Sequence, residues 1–432
     1  MSEKKFKAVY GTKDILPEDA AIWRKVISTV DRLATNANYG FIHPPIFETT
    51  ELFARGIGET SDIVNKEMYT FTDQGDRSLT LRPEGTASVI RAYLEHSLGA
   101  KEGLVKVWYA GPMFRQERPQ AGRLRQFYQF GVEAIGSLDP AIDAEVIELN
   151  YRIMTELGLG SLNLYLNSIG MPEDRRAHRQ AFSEFVKPNL AKFCGECQKR
   201  FQTNPLRMFD CKEETCQGLL KGAPTVLEYL TQENKEHFDK VLNYLETVKV
   251  PFEIDRRLVR GLDYYTRTAW EIKSSKLGAQ DSVSGGGRYD MLVEQLGGSP
   301  TPGIGFAAGI ERIIMAMPSV QEQGILTGRG VFIVTTTDKF RPEAFKLANK
   351  IRMLGLAADI DYLGRSLKAQ MKQADRNHFM HTFLLADEEM SRGLVIVRNM
   401  TDSRQFEVDL STIYSVRNAG QFGELIGRED AK

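Results

Sequence analysis

The stretch that decides the fold class of this chain is Arg125-Gln126-Phe127-Tyr128-Gln129-Phe130-Gly131-Val132-Glu133. Side chains alternate faces along a strand, so every second residue here would share a face. One face then carries an aromatic ring, an amide, a glycine and a carboxylate: Phe127, Gln129, Gly131 and Glu133. We interpret that face as a ligand floor, on which the ring stacks a base and the polar groups hydrogen-bond N–H groups. A solvated hairpin with ion pairs is the alternative.

The chain just before this strand carries more polar residues. Arg115 and Glu117 would share one face, and the guanidinium fork of arginine matches phosphate or carboxylate. The connection 118–125 contains three arginines and no acidic residue, which is typical of a loop that contacts polyphosphate or nucleic acid. Strands joined by such loops, with helices placed around them, predict an antiparallel sheet in an α+β fold.

Composition limits the function classes. The chain has 432 residues, enough for two or three domains of roughly 150 residues. Lys+Arg is 56 and Asp+Glu is 57, so the net charge is −1 and a uniformly basic nucleic-acid coat protein is excluded. No apolar run approaches the roughly 18 residues of a membrane span, and Met1–Lys7 lacks an apolar signal segment. We therefore expect a cytoplasmic protein with no membrane partner.

Changes in residue composition and predicted secondary structure divide the chain into four segments. Strand-rich residues 1–168 and 253–326 are predicted to be two parts of one catalytic core. The intervening residues 169–252 are mainly helical and hold all four cysteines, which indicates an insertion domain. A Gly-rich linker within 321–330 is followed by alternating strand-like and helical runs, which predict a small α/β domain over 329–432.

Local patterns predict individual elements. Apolar residues at helical spacing from Ile22 to Ala34 predict a core helix, with Pro17 in its first turn and Gly40 at its exit. Strand-like composition from Leu258 to Ile272 and from Ser282 to Tyr289 predicts two further strands.

A glycine-rich segment, Thr301 to Arg312, predicts a strand that passes into a helix near Gly309. Gly303 and Gly305 permit a ligand to approach the backbone closely, and Arg312 on the first helical turn would reach back toward it. Tight packing of the helix on the sheet explains the same glycines equally well. The segment matches neither a P-loop nor the dinucleotide fingerprint.

A third group of polar residues combines Leu258–Thr268 with Ser284–Asp290. Two adjacent tyrosines, Tyr264 and Tyr265, stand near Arg260. This combination indicates a small polar pocket with aromatic walls. A buried tyrosine pair with satisfied hydroxyls is the alternative interpretation.

All four cysteines lie within 23 residues: Cys194, Cys197, Cys211 and Cys216. Two close pairs on separate turns resemble a zinc-ribbon layout. Four thiolates leave no open coordination position, so the predicted Zn²⁺ would be structural and not catalytic. Four reduced thiols without metal are the alternative, since so few cysteines form no disulfide framework.

At these residues the chain resembles the class II aminoacyl-tRNA synthetases, and specifically the histidyl-tRNA synthetase family, over nearly its whole length. Tyr39–Pro45 resembles motif 1, a dimer-interface element. Phe114–Glu133 resembles motif 2, and Gly303–Arg312 resembles motif 3. Leu258–Tyr265 and Gly286–Asp290 resemble two signatures peculiar to the histidyl enzymes. The resemblance implies a homodimer whose antiparallel-sheet catalytic core carries a mainly helical insertion and a C-terminal α/β anticodon-binding domain.

The resemblance also implies an activity: ATP-dependent ligation of L-histidine to histidine tRNA through histidyl-adenylate, with Mg²⁺ on the phosphates. The implied histidine-binding residues are Glu84, Thr86, Gln129, Glu133, Tyr264 and Tyr265. The implied catalytic residues are Arg115 and Arg260, which would grip the α-phosphate and the reacting carboxylate. The implied ATP-binding residues are Arg115, Glu117, Phe127 and Arg312, with Phe127 and Arg312 on the two faces of adenine. The implied tRNA-binding residues are Gln120, near the extra 5′ guanosine, and Arg123.

Two other interpretations involve no ligase activity. The same scaffold resembles the histidine-sensing regulatory subunit of ATP phosphoribosyltransferase, but a sensor needs neither the ATP-binding arginines nor an anticodon domain. A nucleic-acid-binding module without catalysis does not explain the ligand floor. Residues 329–376 hold ten Lys/Arg against five Asp/Glu, which favours tRNA binding, although a solvated helix face explains the excess about equally well.

Overall fold

The computed structural model describes residues 6–58, 61, 63–278, 281–318 and 329–427. The chain forms two compact units, Met1–Val320 and Gln321–Lys432. Most of the predicted linker within 321–330 lies outside the described residues. None of the described helices is long and apolar enough to cross a membrane.

The first unit is built on one large sheet and one small sheet. Its described strands are β1 (Gly40–Phe41), β2 (Phe47–Thr49), β3 (Tyr69–Thr72), β4 (Ser78–Leu81), β5 (Val105–Phe114), β6 (Gln126–Ile135), β7 (Leu162–Ser168), β8 (Glu253–Ile254), β9 (Thr266–Ser274), β10 (Ser282–Arg288) and β11 (Gly303–Gly309). The large sheet has the order β1-β5-β6-β11-β10-β9-β7-β8, and the small sheet has the order β2-β4-β3. The strand pairings of the large sheet are antiparallel, except those of β1 with β5 and of β7 with β8, which are parallel. The predicted antiparallel sheet of the core is confirmed.

Helices cover this sheet and fill its core. Those outside the insertion are α1 (Ala20–Asn36), α2 (Thr50–Ile57), α3 (Thr86–Glu95), α4 (Leu98–Glu102), α5 (Pro140–Glu156), α10 (Leu292–Gln295) and α11 (Ile310–Ala316). Phe130 and Val132 of β6 are fully buried in one cluster with Val26 of α1 and Ile147 of α5. The packing face predicted for β6 therefore forms the core, and its polar face is directed to the other side of the sheet.

The chain between β7 and β8 is helical, as the composition predicts for the insertion. Its helices are α6 (Pro172–Val186), α7 (Gly195–Thr203), α8 (Glu214–Leu219) and α9 (Gln232–Thr247). It has a small core of its own, in which Cys197 and Cys216 are buried with Phe182 and Phe209. Val259, which follows β8 in the chain, packs against this core.

The second unit is the expected small α/β domain. Its strands are β12 (Arg329–Thr335), β13 (Ala358–Ile360), β14 (Phe379–Leu385), β15 (Leu394–Asn399) and β16 (Gln405–Asp409). Its helices are α12 (Arg341–Met353), α13 (Leu367–Arg376), α14 (Asp387–Ser391), α15 (Leu410–Ser415) and α16 (Ala419–Ile426). The sheet order is β13-β12-β14-β15-β16, parallel for the first three strands and antiparallel for the rest.

Three local predictions are wrong. Helix α1 begins only at Ala20, because Pro17 lies in the preceding turn, in which the Ala20 N–H donates to the Leu16 carbonyl. The left-handed residue after this helix is Asn38 (φ 61°), and Gly40 already belongs to β1.

The predicted strand over 258–272 begins only at Thr266. The Leu258 carbonyl accepts a hydrogen bond from the side-chain amide of Asn167 on β7 (2.8 Å), which is not a backbone bond of a strand ladder. Residues 258–265 therefore form an irregular crossing segment, which is the segment that carries Arg260.

Candidate active site

A cavity of about 470 Å³ opens beside the polar face of β6. Four arginines line it: Arg115, Arg123, Arg260 and Arg312. Phe127 and Gln129 of β6 also line it, as the alternation along the strand predicts. We call this the arginine cavity. Anionic ligands fit it, because guanidinium groups hold their charge at any physiological pH.

Each arginine is held by a different part of the fold. The Arg115 Nε donates to the Pro83 carbonyl (3.0 Å), and its guanidinium lies 5.3 Å from the centre of the Phe127 ring. The Arg123 Nη1 lies 3.2 Å from a Glu117 carboxylate oxygen. Burial, and the positive charge of Arg123 nearby, lower the pKa of Arg312 below its usual value. Two guanidinium groups that raise each other's energy in this way favour an anion between them.

Arg260 lies over a glycine. A Cβ atom at Gly285 would overlap the Arg260 guanidinium, so the side chain rests directly on the backbone of β10. Its Nη1 pairs with Glu271 of β9 at 3.1 Å. All three glycines at 285–287 belong to β10, and Gly285 is the one on which this arginine lies.

The other end of the β6 floor is closed and buried. Glu133 has no exposed surface, and its two oxygens accept hydrogen bonds from Thr86 Oγ1 (2.7 Å) and Tyr289 Oη (2.6 Å). Glu84 accepts from the backbone N–H groups of Thr86 (2.6 Å) and Ala87 (2.9 Å) at the start of α3. Tyr264 and Tyr265 pack beside Tyr289. We call these six residues the carboxylate cluster: Glu84, Thr86, Glu133, Tyr264, Tyr265 and Tyr289.

Burial dominates the electrostatics of this cluster. It raises the pKa of Glu133 to about 8, against the opposing effect of the Tyr289 and Thr86 hydroxyls, and Glu84 raises it further. Burial also raises the pKa of Glu84. A glycine at position 305 is required here, because any Cβ would overlap the Glu133 carboxylate. Two closely spaced carboxylates away from water favour a ligand that brings cationic or N–H donor groups.

Gln129 stands between the arginine cavity and the carboxylate cluster. It lies between Phe127 and Glu133 on one face of β6 and also lines the arginine cavity. Among the described residues its buried Oε1 has no hydrogen-bond partner. Since buried polar atoms are almost always paired, this oxygen is available to a donor group of a bound ligand.

The structure separates the two residues predicted to contact tRNA. Arg123 lines the arginine cavity, whereas Gln120 lines a neighbouring cavity of about 260 Å³ with Trp23 and Met315. Reciprocal backbone hydrogen bonds between Gln120 and Arg123 (2.9 and 3.0 Å) close the loop into a tight turn, with Gly122 at φ 72°. The expected contact of either side chain with tRNA stays a prediction.

The structure brings the four cysteines together. Their sulfur atoms all lie within 4.8 Å of one another, and the Cys194 and Cys211 sulfurs are 3.8 Å apart. Tetrahedral zinc with Zn–S bonds of about 2.3 Å places its sulfurs about 3.8 Å apart. The backbone N–H of Cys197 donates to the Cys194 sulfur (3.4 Å), and that of Cys194 donates to the Cys216 sulfur (3.3 Å). The donor set therefore fits one tetrahedral metal ion.

Several residues of the site are not predicted by the local sequence patterns. Tyr289 stands in a signature quoted above, but its contact with Glu133 spans 156 residues. Glu271 is one of many alternating strand residues, and only the folded sheet pairs it with Arg260. Asp210 and Lys212 of the insertion also line the arginine cavity. Their one signal in the sequence is that they flank Cys211.

Comparison with known proteins identifies the scaffold. A family model for histidyl-tRNA synthetase matches residues 11–313, and a model for an anticodon binding domain matches residues 330–416. A histidine–tRNA ligase of Desulforamulus reducens is 52% identical over 404 residues, covering 93% of this chain and 96% of that protein. The histidine–tRNA ligase of Anoxybacillus flavithermus is 48% identical over 417 residues, covering 95% and 98%.

The comparison with solved structures points to the same family as the comparison of sequences. The apo histidyl-tRNA synthetase of S. aureus superposes with a TM-score of 0.79 at 40% identity, covering 95% of this chain and 99% of that one. A Bacillus halodurans protein described as an ATP phosphoribosyltransferase regulatory subunit/histidyl-tRNA synthetase has a TM-score of 0.66 at 20% identity, covering 90% and 100%, and shares the fold alone. The family match over residues 11–313 and the close relatives show that this chain belongs to the histidyl-tRNA synthetase family.

Proposed function

We propose that this protein ligates L-histidine to histidine tRNA through a histidyl-adenylate intermediate. The observation that carries the proposal is the continuous floor of β6. From Phe127 to Glu133 it spans about 20 Å at 3.3 Å per residue. One end lies in the arginine cavity and the other in the carboxylate cluster. A ligand with an anionic nucleotide at one end and an amino acid rich in N–H groups at the other matches this distribution of charge.

The arginines do the work of the first step. Histidine's carboxylate attacks the α-phosphorus of ATP, and pyrophosphate leaves. Arg115 and Arg260 would hold the two anions together and offset the charge that develops on the phosphate oxygens. Mg²⁺ bound to ATP supplies further charge neutralisation. The carboxylates of Glu117 and Glu271 line the same cavity and are oxygen ligands that suit a hard cation.

ATP and histidine would bind at opposite ends of the floor. Phe127 is proposed to stack adenine, with Arg312 on the other face of the base. Gln129, Glu84 and Thr86 would receive the α-amino group of histidine. Glu133 and the tyrosines Tyr264 and Tyr265 would recognise its imidazole, with the Tyr289 hydroxyl orienting the Glu133 carboxylate. An analogue without ring N–H groups would leave these buried partners unpaired.

The tRNA would reach the protein at two places. Arg123 and Gln120, in the turn between β5 and β6, are proposed to contact the acceptor end. The second unit belongs to the anticodon binding domains and is proposed to bind the anticodon. We place this reaction in the cytoplasm.

We infer further that two copies of the chain form a homodimer. Large apolar side chains around the motif 1 region are exposed: Phe41, Ile46, Phe47 and Phe71. An exposed apolar patch of this kind is typical of a protein interface. Light scattering at micromolar concentration is expected to give twice the chain mass of 48.7 kDa, and a monomer would contradict the inference.

We also infer that Cys194, Cys197, Cys211 and Cys216 hold one structural Zn²⁺. Support comes from the close sulfur atoms and the two N–H···S hydrogen bonds. Emission spectroscopy on protein purified without chelators is expected to find about one zinc per chain. A zinc content near zero would rule out the site.

The decisive experiment is histidine-dependent exchange of labelled pyrophosphate into ATP, with the other standard amino acids as controls. Exchange with histidine alone, followed by charging of histidine tRNA, is the expected result. Binding of histidine without exchange would overturn the proposal in favour of a histidine sensor.

A further inference from the structure

We propose that the four-cysteine site positions the arginine cavity: its bound metal holds one wall of the cavity in place and, through Val259, the segment that carries Arg260. This inference rests on the proposed function, because it concerns the ATP side of that reaction. The insertion is thereby a working part of the catalytic core.

One wall of the arginine cavity comes from residues 209–212 of the insertion, which we call the 209–212 wall. Asp210 and Lys212 immediately flank Cys211, and both line the arginine cavity. Arg260 lines the same cavity as these two residues. One metal ligand thus stands between two charged residues of the cavity, and the backbone of Cys211 sets the position of both.

Helix α8 holds this wall through hydrogen bonds. The side-chain amide of Gln217, on α8, donates to the carbonyls of Phe209 (2.9 Å) and Cys211 (2.6 Å). Helix α8 also carries Cys216, whose sulfur accepts the backbone N–H of Cys194. A metal that joins all four sulfurs would therefore tie the wall, α8 and the start of α7 into one unit.

The chain segment that carries Arg260 also packs against the four-cysteine site. Val259 packs against the small core in which Cys197, Cys216 and Phe209 are buried. Arg257, two residues before Val259, donates a hydrogen bond to the carbonyl of Leu220 in the same core (3.3 Å). Residues 258–265 have no strand pairing of their own. The Arg260 guanidinium is held by β10 and by Glu271 of β9, and the insertion packs against the adjoining backbone through Val259.

The residues that line the cavity are therefore held in place by different parts of the fold. The exposed Lys212 depends on the insertion for its position, and Arg260 depends on both the insertion and the core sheet, whereas Arg115 is held by Pro83 of the core. Loss of the metal is therefore expected to misplace Arg260 and the 209–212 wall while the β6 floor stays intact. Small displacements of groups that align reacting atoms cost much of the rate.

The first test is Cys194→Ser, which removes the metal ligand that is most distant in sequence from the wall. We expect zinc content to fall from about one per chain to near zero. The kcat of histidine-dependent exchange is expected to fall about 10- to 100-fold, with a raised KM for ATP. The matched variant Cys194→His offers another zinc ligand and is expected to restore both zinc and rate. Lys221→Ala, an exposed change in the same insertion, is the control and is expected to behave as wild type.

The second test keeps the cysteines and asks about the wall alone. Lys212→Ala is expected to retain zinc and the histidine KM but to raise the ATP KM about three- to fivefold, the size of one exposed ion pair. This result does not depend on whether Cys194→Ser folds, which circular dichroism will show.

Three results would overturn the inference: wild-type protein without zinc, a folded and zinc-free Cys194→Ser with wild-type kinetics, or Lys212→Ala with an unchanged ATP KM. Failure of the proposed function has a different signature, since zinc-loaded wild type would then show no exchange at all.

Discussion

The two ends of the β6 floor hold charge in opposite ways. At the Phe127 end, arginines surround an open cavity, and the side chains of Arg115 and Arg260 keep about a fifth of their surface exposed (21% and 20%). At the Glu133 end, two carboxylates are buried against hydroxyl and backbone N–H donors. The cationic end is accessible to many anions, whereas the carboxylates of the buried end are already held by protein donors and accommodate only a ligand whose donor groups fit this arrangement.

We propose that this difference separates rate from specificity. Guanidinium groups need no proton transfer to offset the charge that develops on a phosphate, so the open end is proposed to accelerate the chemistry. Buried hydrogen-bond partners discriminate strongly, because an analogue that lacks a donor leaves a desolvated acceptor behind. Substitutions at the two ends of the floor would test that separation.

The largest effect is expected at the arginine end. Arg260→Ala removes the guanidinium that lies on β10 and faces the cavity. We expect histidine-dependent pyrophosphate exchange to fall about 10³-fold in kcat, as when one oxyanion-stabilising donor is removed, with a small change in the histidine KM. Arg176→Ala, an exposed arginine of the insertion, is the control. An unchanged kcat would remove Arg260 from the reaction.

The next effect is expected at the buried end. Glu133→Ala is predicted to lose histidine activation while the fold survives, with kcat/KM for histidine lowered about 10²- to 10⁴-fold. The ATP KM should change little, because Glu133 does not line the arginine cavity. Steady-state exchange with histidine and ATP varied separately measures both. Unchanged activation kinetics in a folded variant would contradict the assignment.

A smaller effect is expected for Tyr289→Phe. This change removes only the hydroxyl that donates to Glu133 Oε2 and leaves the ring packed against Tyr264. Loss of one buried hydrogen bond corresponds to at most about a tenfold rise in the histidine KM. A shift in the ATP KM of the same size would show that the two ends are not separable.

The smallest effect concerns stability and pH. The pKa of Glu133 is raised to about 8 in the folded, ligand-free protein, so the folded state keeps a proton that the unfolded chain releases at lower pH. Stability from this group is thus fully present below the unfolded pKa and is lost as pH rises through about 8. Glu133→Gln, which cannot ionise, should gain in melting temperature relative to wild type between pH 5.5 and 8.5. Parallel curves for the two proteins would contradict the burial argument.

Local patterns predicted much of the fold. The alternation in 126–135 placed Phe130 and Val132 in the core and Gln129 and Glu133 on the opposite face. Alternating strand and helix signals predicted the second unit. These predictions succeed because a period of two or 3.6 residues is a property of the chain over one element. The predicted strand at 258–265 failed because tertiary contacts, including Asn167, determine that segment.

The sequence by itself determined the class of fold, the polar face of β6, the family resemblance and the set of four cysteines, because each is written in residue types at short spacing. Only the tertiary structure decided that Tyr289 donates to Glu133, that Arg260 rests on Gly285, and that the insertion brings Asp210 and Lys212 to the cavity. These contacts join residues far apart in the chain. Their partners are selected by sheet register and packing, which no local pattern of residues encodes.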